Sequence, residues 1–234
     1  MTGSRATESP VMATDRAGAS SPGPSGAAGA DQVAADLVTE VETSHGPARL
    51  TRRDADDARA VLLLGHGAGG GITAPDLVAA TGVAVAGGFT VVRVEQPYRV
   101  AGRRAPAPAG QLDAAWLAVV EHLRRTTALP LLFGGRSSGA RVACRNATAG
   151  GAVGVLCLAF PVHPPGRPEK DRLHELAAPT VPVLVVQGER DPFGRPDPAP
   201  GREVVLLRGD HSLKSDVHGL REAVATWLEH LPLA

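Results

Sequence analysis

The chain has 234 residues, 43% of them hydrophobic, with 24 basic and 24 acidic side chains and a formal net charge of zero. That length and apolar content suit one domain with a substantial core. The balanced charge argues against a nucleic-acid partner that needs a basic face and against a polybasic membrane anchor.

Residues 1–32 are rich in Ala, Gly, Ser and Pro and have no aromatic residue or sustained apolar run, so a disordered tail is expected there. Residues 33–234 are expected to form the folded domain. There is no continuous apolar core of a secretory signal and no run of 18 apolar residues, so the cytoplasm is the expected location. Stretches 37–43 and 48–52 read as two short half-exposed strands around the turn His45-Gly46-Pro47, a hairpin at a sheet edge. Ala60-Val61-Leu62-Leu63-Leu64 is a fully apolar run ending at Gly65, the pattern of a parallel strand covered on both faces. The loop Gly65-His66-Gly67-Ala68-Gly69-Gly70-Gly71 follows. A helix is predicted over 75–86, capped near Thr73 or Ala74, with Leu77, Val78, Thr81 and Val85 on one face.

The pattern then repeats. A strand at 89–94 leads through a Pro- and Arg-rich loop to a helix over 111–127, whose Leu112, Trp116, Val119, Val120 and Leu123 form one apolar stripe. A strand at 131–133 is followed by a helix over 138–148, then by a buried strand at 153–159. The loop Phe160-Pro161-Val162-His163-Pro164-Pro165-Gly166-Arg167 runs into a short helix around 169–177. Strands at 181–186 and 203–207 precede an amphipathic helix over 214–231 carrying Val217, Leu220, Val224, Trp227 and Leu228. Strands alternating with helices predict an α/β fold: a mostly parallel sheet with helices on both faces. The two cysteines, Cys144 and Cys157, fall in an expected helix and a buried strand and read as reduced core thiols.

Ligands of such sheets lie at the carboxyl ends of the strands, which selects the polar residues just past each one. Gly135-Arg136-Ser137-Ser138-Gly139 fits G-x-S-x-G, in which a serine occupies a strained turn between strand and helix. Asp191 follows the strand at 181–186, and His211 follows the strand at 203–207. Ser137, Asp191 and His211 thus appear in an order that supports nucleophile, orienting acid and general base. Each has a rival reading. Ser137 could cap the following helix; Asp191-Pro192 could be a simple turn, with Glu189 or Asp197 as the acid; His163 and His218 compete with His211. The backbone amides of Ser138 and of Ala68 are the expected donors to a developing oxyanion. His66 is expected to brace its loop, and Asp210 to be solvated or loop-bracing. Arg136, Tyr98, Arg99 and His163, with Arg172, are candidates for contacting substrate, the arginines through an anionic group; the rival is pairing with Glu95, Glu169, Glu175 or Glu189. The eight histidines are scattered without ligand spacing, so neither metal nor cofactor is expected.

These residues together resemble an α/β hydrolase. More narrowly, the chain is similar to the small dienelactone-hydrolase-related family that includes testis-expressed protein thirty and the third regulatory subunit of the NSL histone acetyltransferase complex. The resemblance is carried by Gly65-His66-Gly67-Ala68-Gly69, by the segment from Gly134 to Arg141, by Phe160-Pro161-Val162-His163-Pro164-Pro165-Gly166, by Gln187-Gly188-Glu189-Arg190-Asp191-Pro192-Phe193-Gly194 and by Gly209-Asp210-His211-Ser212-Leu213-Lys214. It implies a serine-hydrolase core. The chain departs from dienelactone hydrolases proper in having serine where those resemble it with cysteine, and from its relatives in the Pro-rich stretch 194–201, where they have a short helix. Only about twenty residues separate the strands at 153–159 and 181–186, where larger hydrolases insert a lid, so no lid domain is expected. The expected activity is that of a serine esterase acting on a small acyl compound, with no nucleic-acid or membrane partner. Two alternatives share the same residues: a catalytically silent binding or scaffold domain, and an acyltransferase.

Overall fold

A computed structural model describes residues 36–233; the tail expected at 1–32 lies outside them. The hairpin forms as β1 (Leu37–Val41) and β2 (Ala48–Arg53), antiparallel, with Val41 opposite Ala48. β3 (Ala60–Gly65), buried at every position, leads to α1 (Pro75–Ala86) and β4 (Phe89–Glu95). A single turn, α2 (Pro97–Val100), lies in the segment expected to be loop, because Pro97 sets the helical φ for a first turn that nothing extends. Then come α3 (Ala109–Thr126), β5 (Leu131–Arg136), α4 (Ser138–Gly150), β6 (Val155–Leu158), α5 (Leu173–Leu176), β7 (Val183–Gly188), β8 (Arg202–Leu207) and α6 (Val217–His230).

Among the described residues the eight strands form one sheet in the order β1-β2-β4-β3-β5-β6-β7-β8. β2 pairs antiparallel with β4, and every neighbouring pair from β4 across to β8 is parallel. This is the α/β-hydrolase arrangement without a lid: the β6–β7 connection carries only the four-residue α5. The apolar side chains divide by strand alternation into two layers. Leu63, Leu131, Phe133 and Cys157 point to the face covered by α3 and α4, where Trp116 meets Phe133 edge-on at 5.5 Å. Leu62, Leu64, Leu132 and Leu156 point to the face covered by α1 and α6. β3 is followed by β4 on one side and flanked by β5 on the other, so the sheet's direction of growth reverses there, and the carboxyl ends of β3 and β5 are where an open α/β sheet binds its ligands.

Several boundaries differ from the sequence expectation for local reasons. β6 stops at Leu158 because Ala159 turns to φ 51°. α6 starts at Val217 because Asp216 caps it, accepting from the Gly219 amide at 3.0 Å. The buried face of α1 is Leu77, Ala80, Thr81 and Ala84, whereas Val78 is 44% exposed. Leu77, Ala80, Thr81 and Ala84 follow the i, i+3, i+4, i+7 spacing of one helix face, and Val78 lies to the side of it. Cys144 and Cys157 are both buried and free, with their sulfurs 3.5 Å apart. The neighbouring thiol and burial push the Cys157 thiol up, which keeps it protonated. No helix of the described residues is long and apolar enough to cross a membrane.

Candidate active site

β5 leads into the strained turn at Ser137 between strand and helix, the elbow of the fold. It extends through Gly134 and Gly135 to Arg136, farther than apolar patterning suggested, and both glycines are needed for close approach. A Cβ at Gly134 would lie 2.7 Å from the Leu156 carbonyl oxygen, and one at Gly135 would lie 2.5 Å from that of Gly65. Ser137 then turns the chain from sheet to helix in one residue, at φ 53° and ψ −110°. Such a conformation costs a non-glycine residue of order ~1–3 kcal/mol. Its amide still belongs to the sheet, donating to Leu158 O at 2.9 Å, while its carbonyl accepts from Arg141 N at 3.2 Å and starts α4. The Ser137 side chain makes no capping hydrogen bond. Its Oγ lies instead 2.9 Å from His211 Nε2.

His211 arrives on the loop after β8. Gly188, at the end of β7, lets that loop close in, since a Cβ there would lie 2.4 Å from Asp210 O. His211 Nδ1 is 2.8 Å from Asp191 Oδ2. The carboxylate can only accept, so the ring proton is on Nδ1 and Nε2 is free to accept from the serine hydroxyl. The Asp191 carboxylate is fully buried and hydrogen-bonded on both oxygens. Gln187 Nε2 donates to Oδ2 at 2.8 Å and the Phe193 amide to Oδ1 at 2.8 Å. The Asp-Pro turn is therefore also present, and it is what fixes the carboxylate; the Pro-rich stretch 194–201 needs no helix to do so. Glu189, Asp197 and His218 are exposed. His218 contacts Glu222 at 3.2 Å.

Two residues of the Gln187–Gly194 segment have roles at the site that the sequence reading does not assign. Gln187 is completely buried, and its Nε2, with two protons to share, lies also 3.1 Å from Phe160 O and 2.8 Å from Gly194 O, so the loops after β6 and β7 meet at this amide. A lone amide ending an otherwise apolar strand was the available signal. Phe193 stacks on the His211 ring at 4.2 Å between centroids, with 30° between planes. It limits rotation of the imidazole.

The loop after β3 lies against the elbow, with Gly67 so placed that a Cβ would be 3.6 Å from that of Ser137. His66 shapes it. Its Nε2 accepts from Gln96 N at 3.1 Å, so Nδ1 carries the proton and donates to Gly67 O at 2.8 Å. Burial lowers its pKa and keeps the ring neutral. Tyr98 is buried and donates its hydroxyl to Ala68 O at 2.9 Å, so it holds this loop from behind; burial pushes its pKa up. Ser138 occupies the first position of α4, where backbone amides have no intrahelical acceptor and the helix dipole is positive.

The proposed substrate contacts divide. Arg136 is held by protein groups. Its Nε is 2.9 Å from the buried Asp76 Oδ2, and its Nη2 donates to His211 O at 3.1 Å. Asp76 is none of the partners foreseen for the arginines, because the contact joins β5 to the first turn of α1. Arg99 is half-buried and donates to Arg103 O at 3.4 Å. His163 packs its ring edge against Gly194, contacts Pro164 O through Nδ1 at 2.9 Å, and receives no bond from the Ser137–His211–Asp191 row. Arg172 reaches Pro161 O at 3.4 Å. Glu175 is taken by Arg141, bidentate at 2.6 Å on both arms, and by Arg145 at 3.3 Å. Asp210 is exposed and accepts from the Ser212 amide at 2.9 Å, bracing its own loop.

Residues 58–226 match the family described as Alpha/beta hydrolase domain. The chain belongs to the α/β-hydrolase family. Among solved structures, this α/β hydrolase is similar to a serine hydrolase without lid from Xanthomonas campestris at 20% identity and TM-score 0.67, covering 86% of this chain and 97% of that one. A dienelactone hydrolase from Anabaena variabilis matches at 15% identity and TM-score 0.66, over 85% of this chain and 98% of that one. An esterase from Pyrococcus furiosus matches at 13% identity and TM-score 0.66, over 83% and 89%. No curated protein matches by sequence. At these identities the shared feature is the fold.

Proposed function

We propose that this α/β hydrolase is a serine hydrolase of esterase type, cleaving a small acyl ester through an acyl-serine intermediate. The observation that carries the reading is the unbroken row from Asp191 through His211 to Ser137, at 2.8 and 2.9 Å. Ser137 is the nucleophile, His211 the general base and Asp191 the orienting acid. As Oγ attacks the acyl carbon, its proton passes to His211 Nε2, and the imidazolium is stabilised by Asp191. The carbonyl π pair moves onto oxygen, which the amides of Ser138 and Ala68 receive; one such donor is worth about 2.7–4 kcal/mol of transition-state stabilisation. Collapse breaks the ester C–O bond, and Nε2 returns the proton to the departing alcohol. Water then repeats the sequence on the acyl-serine, freeing the acid and Ser137.

The short β6–β7 connection favours a small or exposed acyl group. Within the family, the narrower place is among the dienelactone-hydrolase-related proteins of the testis-expressed protein thirty and NSL subunit type, in a domain spanning 33–234 that works in the cytoplasm. The nucleophile is serine where dienelactone hydrolases resemble it with cysteine, so lactone opening is not carried over from them. The test is a hydrolysis panel of short-chain acyl esters, thioesters and lactones run beside Ser137→Ala. Turnover of short esters that vanishes in the variant is expected; turnover that survives Ser137→Ala would overturn the assignment.

A further inference from the structure

We propose that Arg136, anchored by Asp76, is a positioning residue that fixes the backbone of His211 relative to Ser137 and the Ala68 loop. This rests on the serine-hydrolase reading above and assigns a job to a residue which that mechanism leaves unused.

Arg136 is the last residue of β5, one position before Ser137. Its guanidinium meets three elements at once. Nε faces Asp76 Oδ2 at 2.9 Å on the first turn of α1, as an ion pair without a straight hydrogen bond. Nη2 donates to the carbonyl of His211 itself at 3.1 Å. Nη1 covers Gly67, where a Cβ would stand 2.8 Å from it. The loops so joined follow β3 and β8, which are separated in the sheet by β5, β6 and β7, so no strand pairing couples them. The His211 loop bends through Gly209 at φ 124° and Leu213 at φ 52°, a path that leaves the direction of the His211 carbonyl to its contacts.

Asp76 is 1% exposed. Burial pushes its carboxyl up, and the Arg136 guanidinium opposes that. Its other oxygen accepts from Leu77 N at 2.9 Å, which fixes it to α1. A buried pair of this kind gives little net stability over an apolar pair of equal size. What it provides is direction: a planar group with several donors, held at one edge, keeps its other edge aimed. An ammonium offers no such fork. With the Asp76 and His211 contacts made, the guanidinium is committed to the framework and not to a substrate anion.

The test uses Arg136→Gln and Arg136→Lys in the full chain, with three readouts. These are kcat and KM on a short-chain aryl ester, the thermal midpoint, and the low-field NMR resonance of the His211 Nδ1 proton shared with Asp191. Displacements near 1 Å at a reacting pair cost up to about a hundredfold, so Arg136→Gln is expected to lower kcat by about tenfold to a hundredfold with KM within about twofold, and to shift or broaden the resonance. Arg136→Lys is expected to recover the thermal midpoint by re-pairing Asp76 while kcat stays low. A folded Arg136→Gln with unchanged kcat and resonance overturns the proposal. So does an Arg136→Lys with full kcat, which also decides the matter if Arg136→Gln does not fold. A wild type that turns over nothing, yet loses the resonance in Arg136→Gln, would sink the hydrolase reading and leave the positioning role standing.

Discussion

Gly139→Ala tests how the elbow is built. Gly139 is the second residue of α4, and a Cβ there would lie 2.2 Å from Gly65 O, 2.5 Å from Gly65 C and 2.9 Å from His66 O. Real Cβ atoms keep at least 3.0 Å, so the helix start must retreat by about 0.8 Å, the difference between 3.0 and 2.2 Å. Every obstructing atom is main chain, and no side chain can swing aside. Overpacking of a rigid contact costs about 1–3 kcal/mol, and the backbone obstruction puts this case near the upper end. The retreat also moves the Ser138 amide away from the Ala68 loop, so kcat should fall by up to about a hundredfold in the folded protein. Urea unfolding gives the first quantity and ester turnover well below the unfolding midpoint gives the second. A variant within about 0.5 kcal/mol of wild type with unchanged kcat would refute the argument that close helix–strand approach sets the site.

The opposite glycine is Gly82, exposed in the middle of α1, where an added Cβ would meet nothing within 4 Å; Gly82→Ala should stabilise by about 0.5–1 kcal/mol in the same urea experiment. Glu175 supplies a pH-dependent case. Burial pushes its carboxyl up, but the Arg141 and Arg145 guanidinium groups together outweigh this and hold it below its usual value of 4.5. Since the folded-state value is the lower one, its stabilisation is present above pH 4.5 and is lost as pH falls through the folded value. Glu175→Gln should therefore cost about 3 kcal/mol near neutrality, and its deficit relative to wild type should shrink in acid. A deficit independent of pH would contradict the ion-pair account.

What could be read from the chain was whatever local pattern decides. Apolar runs such as Ala60 to Leu64 and the stripe on α3 mark strand and helix directly, and the loops following strands expose Ser137, Asp191 and His211 in order. The contacts that hold these residues were not legible, because they join segments far apart in the chain. Nothing near Arg136 points to Asp76, sixty residues earlier, and Glu175 meets Arg141 and Arg145 only because α5 folds back on α4. Gly134 and Gly135 looked like the end of a strand, since glycine carries no apolar signal. Their place within β5 follows from the backbone of β3 and β6 pressing on either side.

The central claim is that Ser137 is a nucleophile activated by His211. Treating the folded protein with a fluorophosphonate and locating the adduct by peptide mass spectrometry tests this without knowing the substrate. The expected result is one adduct, on Ser137, absent in Ser137→Ala and formed far more slowly in His211→Ala. Folded wild type that takes up no label, or labels equally fast without His211, would contradict it.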